Sequence, residues 1–389
     1  MSLKPLLARL SDEKHRASTQ LELLFDLVVV IAIAMAADQL KEQILAGEVL
    51  FGVSQFLAAF FLIWWPWNQF SWFASGFDND DAAYRINVMV MMLGLLIITA
   101  SLPDFFEHQE MGMTFLGYCL MRLSFALLWW RAGHDNPEFR KAAKLRAAGL
   151  VVMQGWWALG VFIVPSGSIP FYLVYAGGIV GELLIPRLVD KNFSLNWHRE
   201  HIIERFGLLN IIVLGELMLS SAEAFEAIHS DGHILKLILL GIGGMTITCV
   251  LWWLYFLEEE HLSSDESEVA FAWGYGHFLL YVAGAAIGSG LGVMLHWLTE
   301  GAHHLPAYAS MVVSLPVGLY VVALWLVRDR YILARQHSWR LLLVAVACTA
   351  AGFLPPEVCL VTVCVLLIVG LIYRTSPACT KAVQADEGV

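Results

Sequence analysis

Charged residues are scarce in this sequence: they make up 15% of its 389 residues, whereas apolar residues make up 59%. A soluble globular chain is nearer to half apolar and one quarter charged. The apolar excess lies in blocks of about twenty residues, the length that a helix needs to cross the hydrocarbon of a bilayer. The period-two alternation of membrane-barrel strands is missing from these blocks. The sequence therefore predicts an all-α polytopic membrane protein.

Several motifs that carry chemistry are also missing. There is no GxxxxGK(S/T) P-loop, so the chain is not itself a nucleotide-driven pump. No HExxH or Ser-His-Asp arrangement stands out, and none of the six cysteines forms a CxxC pair. The net charge of −11, without a basic face, argues against binding of nucleic acid. The sequence leaves the cofactor unknown and predicts no metal site.

The basic residues predict the orientation in the membrane. A cytoplasmic N-terminus places twenty of the 23 Lys and Arg residues on the inner side, leaves Lys41 and Lys236 outside, and puts Arg122 within a span. By the positive-inside rule, both termini are then cytoplasmic. About twelve spans are predicted, at 21–40, 49–73, 86–103, 112–132, 147–165, 169–187, 205–226, 235–257, 270–297, 307–327, 338–355 and 357–374.

The two halves of the chain share sequence features. His15-Arg16 precedes Glu22 as His198-Arg199 precedes Glu204, and a Trp pair follows in each half. This pattern predicts two six-helix repeats related about an axis along the membrane normal. The predicted parts are a cytoplasmic N-terminal segment, two repeats and a cytoplasmic tail, at 1–20, 21–190, 191–374 and 375–389.

Acidic residues inside apolar spans are the main functional candidates, because a charge within the bilayer is costly unless it is paired or hydrated. Glu22 and Asp26 are four residues apart, so they share one helix face. Two neighbouring acids suit proton or cation handling, because proximity raises the pKa of one of them. The alternative for Glu22 is a first-turn acid that stabilises the helix dipole.

Four further ionisable residues fall within predicted spans. Glu216 and Arg122 lie at similar depth by residue count, which predicts that they form an ion pair. Glu182 and His277 lie nearer to the cytoplasmic side and are candidates for ion or substrate binding. A buried structural pair is the alternative for all four.

Two predicted inner loops are acidic, against the usual charge bias. The first, FDNDDAAYR, contains Asp78, Asp80 and Asp81, and the second spans 258–268. We predict that Asp80 or Asp81 contacts Arg85 or another inner arginine and forms a cap or gate. The alternative is a solvated run of charge.

Three segments resemble the bacterial low temperature requirement A family: LELLFDLVVVIAIA at 21–34, FDNDDAAYRINVMVMMLG at 77–94 and ERFGLLNIIVLGE at 204–216. YGHFLL at 275–280 is a weaker match. The resemblance implies a membrane-embedded protein associated by name with growth in the cold, without an agreed activity. The positions it singles out are Glu22, Asp26, Asp78, Asp80, Asp81, Arg85, Glu204, Glu216 and His277. The layout is also similar, more weakly, to potassium channels of the TMEM175 type.

The leading functional expectation is a multi-pass protein of the bacterial cytoplasmic membrane that acts as a transporter or channel for an ion or small solute. Without a catalytic motif, a non-enzymatic protein is favoured. The alternatives are a membrane enzyme or cofactor-binding protein that uses the FDNDD motif with His277, and a non-transporting protein of the envelope or of cold adaptation. Expected partners are the lipid bilayer and the ion or solute, and a homo-oligomer is left open.

Overall fold

A computed structural model describes residues 4–9, 16–165, 167–190, 197–228, 233–257, 267–299, 306, 308–333 and 335–376. All regular secondary structure in these ranges is helical, as the apolar blocks predict. The residues 258–266 of the second acidic loop and residues 377–389 of the predicted tail lie outside the described ranges.

The described residues form six helices in the first half of the chain. They are α1 (Gln20–Leu45), α2 (Val49–Gly76), α3 (Ala82–His108), α4 (Gly112–Asp135), α5 (Arg140–Phe162) and α6 (Ile169–Asp190).

Six more helical segments follow in the second half. They are α7 (Arg199–Ala227), α8 (Ile234–Tyr255), α9 (Ser267–Thr299), α10 (Met311–Ile332, with a π-helical turn at Trp325–Asp329), α11 (Arg335–Ala350) and α12 (Pro356–Arg374).

Ten of these helices are long and apolar enough to cross a membrane, counting only the described residues: α1 to α6, α8 to α10 and α12. The protein is therefore a multi-span helical membrane protein. α7 and α11 are not among the ten, and α11 is a shorter apolar helix. The predicted count of twelve spans stays a prediction.

Packing divides the chain into two units. The first comprises residues 1–39 and 54–205, and the second comprises 40–53 and 206–389. The division falls within α1, α2 and α7, so each unit takes a short segment from the other half of the sequence. The predicted boundary at 190/191 separates two duplicated six-helix sequences. A division of the chain by packing does not test it.

Glycines allow the closest helix contact in each unit. In the first, a Cβ on Gly94 of α3 would lie 2.5 Å from the carbonyl oxygen of Gly117 of α4. In the second, a Cβ on Gly290 of α9 would overlap the carbonyl of Val312 of α10. Small residues drive helix association in membranes because they let backbones approach. Glycine thus lets α3 and α4 pair closely in the first unit, and α9 and α10 in the second.

An extended N-terminal strap, residues 4–9, packs against helix ends of the first unit. The amide of Ala8 donates to Asn136 Oδ1 at 2.7 Å, and Asn136 Nδ2 donates to the Leu6 carbonyl at 2.7 Å. The amide of Arg9 donates at 2.9 Å to the carbonyl of Gly76, the last residue of α2. The Leu6 side chain is fully buried. The strap is therefore docked by both backbone hydrogen bonds and an apolar anchor.

Adjacent leucines test this docking. Leu6 is 0% exposed and Leu7 is 57% exposed. Truncating a buried leucine to alanine costs about 2–5 kcal/mol, so Leu6→Ala should release the strap at least about tenfold more often. We expect faster tryptic cleavage after Arg9 in Leu6→Ala and an unchanged rate in Leu7→Ala. Equal rates in the two variants would show that Leu6 does not anchor the strap.

Candidate functional site

The start of α1 uses Glu22 as part of a capping box. Thr19 Oγ1 accepts a hydrogen bond from the Glu22 amide at 3.3 Å, and Glu22 Oε2 accepts one from the Thr19 amide at 2.7 Å. This reciprocal pair satisfies two amides that a helix start leaves without partners. One oxygen of Glu22 is therefore committed to starting the helix, which leaves Oε1 for other contacts.

The second oxygen of Glu22 faces three basic side chains. Oε1 lies 3.1 Å from His201 Nε2, 3.2 Å from Arg205 Nη1 and 3.6 Å from Arg16 Nη2. His201 and Arg205 are four residues apart, so they occupy one face of α7. All four side chains are buried. Glu22 is thus both a helix cap and the centre of a buried ionic group.

Asp26, one turn further along α1, contacts the same arginine. Arg205 Nη2 donates to Asp26 Oδ1 at 2.5 Å, and Trp67 Nε1 donates to the same oxygen at 2.7 Å. Arg205 therefore bridges the two acids that the sequence placed on one helix face. We refer to Glu22, Asp26, His201 and Arg205 as the α1–α7 cluster; all four belong to the first unit.

Arg16 connects this cluster to the acidic loop between α2 and α3. Its Nη2 lies 3.6 Å from Glu22 Oε1 and 3.7 Å from Asp78 Oδ2, and Arg9 Nη1 lies 3.8 Å from the same Asp78 oxygen. Burial, and then the negative charge of Glu22, raise the pKa of Asp78. Burial lowers the pKa of Arg16. Asp78 is thus part of the buried ionic group around Glu22 and Arg16.

The other two acids of the loop are paired with arginines. Arg85 donates to Asp80 at 2.8 and 2.6 Å, in a contact about half exposed to solvent. Arg131 of α4 donates to both oxygens of Asp81, at 2.9 and 2.5 Å. The predicted contact of Asp80 or Asp81 with an arginine is confirmed. A role of the loop as a gate stays a prediction.

Asp81 also holds neighbouring backbone. Its Oδ1 accepts from the Tyr84 amide at 2.9 Å and caps α3, and its Oδ2 accepts from the Lys4 amide of the strap at 3.0 Å. Arg131 donates in turn to the Lys4 carbonyl. The hydrogen bond from Arg131 holds the pKa of Asp81 well below its usual range. Asp81 thus joins α3, α4 and the strap.

The predicted Arg122–Glu216 pair is wrong, because Arg122 of α4 pairs with Glu182 of α6. Arg122 also donates to Gln69 Oε1 of α2 at 2.6 Å. Counting residues along a span estimates depth in the bilayer, but it does not give the direction in which a side chain points around its helix. Within the first unit, Glu182 is the acid that faces Arg122.

Hydrogen bonds commit both oxygens of Glu182. Besides Arg122, three aromatic side chains donate to it: Trp65 Nε1 at 3.1 Å, Tyr118 OH at 3.1 Å and Trp157 Nε1 at 3.5 Å. Such saturation is typical of a structural ion pair. The structural alternative is therefore the better interpretation of Glu182 and Arg122.

The α1–α7 cluster differs because several of its buried polar atoms have no hydrogen-bond partner among the described residues. These atoms are Glu22 Oε1, Asp26 Oδ2, both ring nitrogens of His201, Arg205 Nε and Nη1, and the three guanidinium nitrogens of Arg16. Buried polar atoms normally find partners in protein or ordered water. Their convergence on one place favours a site that accepts water, a proton or a small polar ligand.

His277 and Glu216 lie in the second unit. His277 is buried, with Nδ1 2.9 Å from the Trp273 carbonyl and Nε2 3.0 Å from Tyr255 OH. Aromatic rings surround its imidazole, including that of Phe206 at 5.0 Å. Glu216 is half-buried on α7. Their predicted roles in binding stay predictions.

The sequence interpretation missed the partners that α7 supplies to the cluster. Neither His201 nor Arg205 was singled out from the sequence. The signal was their spacing of four residues at the head of an otherwise apolar helix. Glu204, which was singled out, is exposed and accepts from the Ser18 amide at 3.2 Å.

A second buried ionic group was also missed. In the second unit, Arg328 donates to Asp329 at 2.6 Å, and Arg374 of α12 donates to the other oxygen of Asp329 at 3.3 Å. Arg328 also donates to the carbonyls of Leu254 and Tyr255 at the end of α8. The sequence signal was a charged Arg-Asp pair directly after the apolar run of α10. Its contacts indicate a structural tie between helix ends.

No group of three or more His, Cys, Asp or Glu side chains is placed to hold a metal ion in the part of the chain that the structure describes. The α1–α7 cluster has two carboxylates and one imidazole, but the guanidinium of Arg205 lies between the acids. A cationic side chain in that position opposes a metal ion.

The Arg122–Glu182 pair generates a stability prediction. Removing one partner of a buried ion pair costs roughly 3–5 kcal/mol because the other charge is left uncompensated. Arg122→Leu should therefore lower the Tm of the detergent-solubilised protein strongly, and adding Glu182→Gln should recover much of the loss. A double variant no more stable than Arg122→Leu would contradict a pairwise coupling.

Asp81 generates a pH prediction. Its pKa is lower in the folded protein than the ordinary value of about 3.9, so its stabilising effect is present above that value and is lost as the pH falls below it. We expect a spin label at exposed position 7 to become mobile as the pH falls from about 4 towards the lowered pKa of Asp81, and to be mobile at neutral pH in Asp81→Asn. Asp80→Asn is the control, because the half-exposed pair with Arg85 contributes little. An immobile label in Asp81→Asn would exclude this role.

Comparison with models of protein families gives a match over most of the chain. No curated protein matches the chain. The family model of the bacterial low temperature requirement A protein (LtrA) matches residues 17–372, which include α1 to α11 and most of α12. This range covers every residue of the α1–α7 cluster. It also covers the two acids of the second unit discussed above, Glu216 and Asp329. The chain belongs to the bacterial low temperature requirement A protein family.

Proposed function

We propose that the protein is a transporter for an ion or small solute in the bacterial cytoplasmic membrane, and that the α1–α7 cluster is its binding site. The proposal includes twelve spans in two six-helix repeats, with both termini in the cytoplasm. The observation that carries it is the group of buried ionisable side chains with uncommitted polar atoms on α1 and α7. These two helices open the two proposed repeats.

The two ionic groups of the first unit differ in how completely their buried polar atoms are hydrogen-bonded. Glu182 is saturated by hydrogen bonds, so its burial is explained by structure alone. Asp26 Oδ2 has no hydrogen-bond partner among the described residues, at a cost of about 1–3 kcal/mol for an unsatisfied buried group. Glu22 Oε1 has only ion-pair contacts, at 3.1, 3.2 and 3.6 Å. Charged groups inside membrane proteins that bear such a cost typically mark ion and substrate pathways.

The contacts of the FDNDD loop support an enzyme less well. Asp81 is committed to Arg131, to a helix cap and to the strap, and Asp80 to Arg85. Both nitrogens of His277 have hydrogen-bonding neighbours in an aromatic environment. An acid–base pair for catalysis needs groups that are available to a substrate. The non-transporting envelope protein remains the competing function, and flux measurements separate the two.

The test is flux into proteoliposomes that contain the full chain. Currents on a solid-supported membrane report transport when a panel of H⁺, Na⁺, K⁺, chloride and amino acids is applied in turn. We expect the wild type to respond to at least one of these, and Asp26→Asn to lose about tenfold or more of the response, because Arg205 loses a charged partner. Asp104→Asn, an exposed position on α3, is the matched control.

Two results would count against transport. One is a wild type that gives no flux for any member of the panel, which favours the envelope protein. The other is equal flux in Asp26→Asn and Asp104→Asn when both are folded and monodisperse, which places the site elsewhere.

The orientation generates a separate prediction. If the basic residues orient the chain by the positive-inside rule, reporter fusions at Glu110 and His303 should be periplasmic and fusions at Arg140 and Arg335 cytoplasmic. A cytoplasmic reporter at His303 would contradict the twelve-span arrangement in the second repeat.

A further inference from the structure

We propose that the α1–α7 cluster binds a single proton, shared between His201 of α7 and Glu22 of α1, and that this proton is an ion the protein moves or couples to. This inference rests on the proposed function, since it names the ion at the same site. The geometry that points to it is the 3.1 Å separation of His201 Nε2 and Glu22 Oε1 inside a fully buried group.

The contact between His201 and Glu22 favours a shared proton. A nitrogen and a carboxylate oxygen 3.1 Å apart are at the distance of a hydrogen bond, so a proton on the imidazole would lie between them. Imidazole is the side chain whose charge ordinarily changes between about pH 5 and 8. His201 Nδ1 has no hydrogen-bond partner among the described residues. That nitrogen is therefore available to take up or release a proton.

The second argument is the balance of charge around His201. The charged groups that act directly on His201 are Glu22 from α1, Arg205 from its own helix and Arg16 from the segment before α1. Ion pairs connect these groups to Asp26 of α1 and to Asp78 of the loop after α2. Three carboxylates thus meet two guanidiniums. Arg9, the next cation, is 29% exposed and lies 3.8 Å from Asp78. A proton on His201 would supply the missing positive charge within the buried set.

The position of Arg205 between two carboxylates distinguishes a proton from other ions. A metal cation at Glu22 or Asp26 would lie beside the Arg205 guanidinium, which is 3.2 Å from one acid and 2.5 Å from the other. An anion near Arg205 would meet both carboxylates. A proton needs only a single acceptor atom and no coordination shell. A proton on His201 also lies near Arg205 and Arg16, but it is shared with the carboxylate of Glu22 and needs no further ligand.

A carboxyl in the loop after α2 extends the buried ionic group towards the predicted inner side. Asp78 is nearly buried and lies 3.7 Å from Arg16, which is 3.6 Å from Glu22. Burial raises the pKa of Asp78, so this carboxyl takes up protons more readily than an ordinary aspartate. Asp78 is therefore a protonatable carboxyl next to the cluster, with the Arg16 guanidinium between it and Glu22.

Proton binding would also change the contacts between α1 and α7. With the proton absent, Glu22 is held by Arg205 and Arg16. With the proton on His201, the imidazolium competes with Arg205 for Glu22 Oε1, and Arg205 is left with Asp26 as its main partner. Protonation thereby shifts the bridge between the two helices.

The test is a titration of His201 in the full chain, purified in detergent, with isotope-labelled histidine observed by NMR. The signal of His201 is identified by its loss in His201→Asn. Burial lowers the pKa of His201 to about 4, so we expect its signal to titrate near that pH, and its midpoint to fall by about one pH unit or more in Glu22→Gln, a tenfold loss of proton affinity. Asp104→Asn should leave the midpoint unchanged.

The inference is overturned if the His201 signal stays neutral at the lowest pH at which the wild type remains folded, or if Glu22→Gln leaves the midpoint unchanged. If Glu22→Gln does not fold, Glu22→Asp provides the second variant, because it keeps the charge and lengthens the contact; its midpoint should fall, and an unchanged one overturns the proposal. This readout does not depend on transport. A titrating His201 in a protein without flux would support the proton site and reject the transporter.

Discussion

The guanidinium of Arg205 lies between the two carboxylates of α1, 3.2 Å from Glu22 and 2.5 Å from Asp26. Neither carboxylate is tolerable alone in an apolar interior, and the arginine is equally costly without them. The bridge therefore decides how the first turns of α1 and α7 meet within the first unit. Through Arg16 and Asp78 it also extends to the loop after α2.

The same unit contains two solutions to the burial of charge. Arg122 and Glu182 are enclosed by an amide and three aromatic donors, so the pair has little freedom to exchange partners. The α1–α7 cluster has similar charges but fewer hydrogen bonds, which leaves several polar atoms uncommitted. A saturated pair stabilises one arrangement of the helices, whereas an unsaturated one can respond to a proton or ligand. This difference is the physical basis for assigning structure to one group and function to the other.

The acidic loop after α2 combines these roles. Asp81 ties the strap, α3 and α4 together, and Asp80 pairs with Arg85 near solvent. Asp78 instead turns towards the interior and belongs to the charge balance of the cluster. Three acids within four residues thus have three environments, and the excess of negative charge that distinguishes the loop from a usual inner loop is matched by arginines.

The sequence by itself determined the helical class, most of the helix positions and the common face of Glu22 and Asp26, because apolar block length and helical spacing are local properties. It also indicated that Asp80 or Asp81 would meet an arginine. The tertiary structure alone decided which helices are neighbours and how each is rotated about its axis. For that reason His201 and Arg205 were missed as partners of α1, and Arg122 was assigned to Glu216 when it pairs with Glu182. Depth along a span can be counted from residues, but the direction of a side chain around the helix depends on packing with distant parts of the chain.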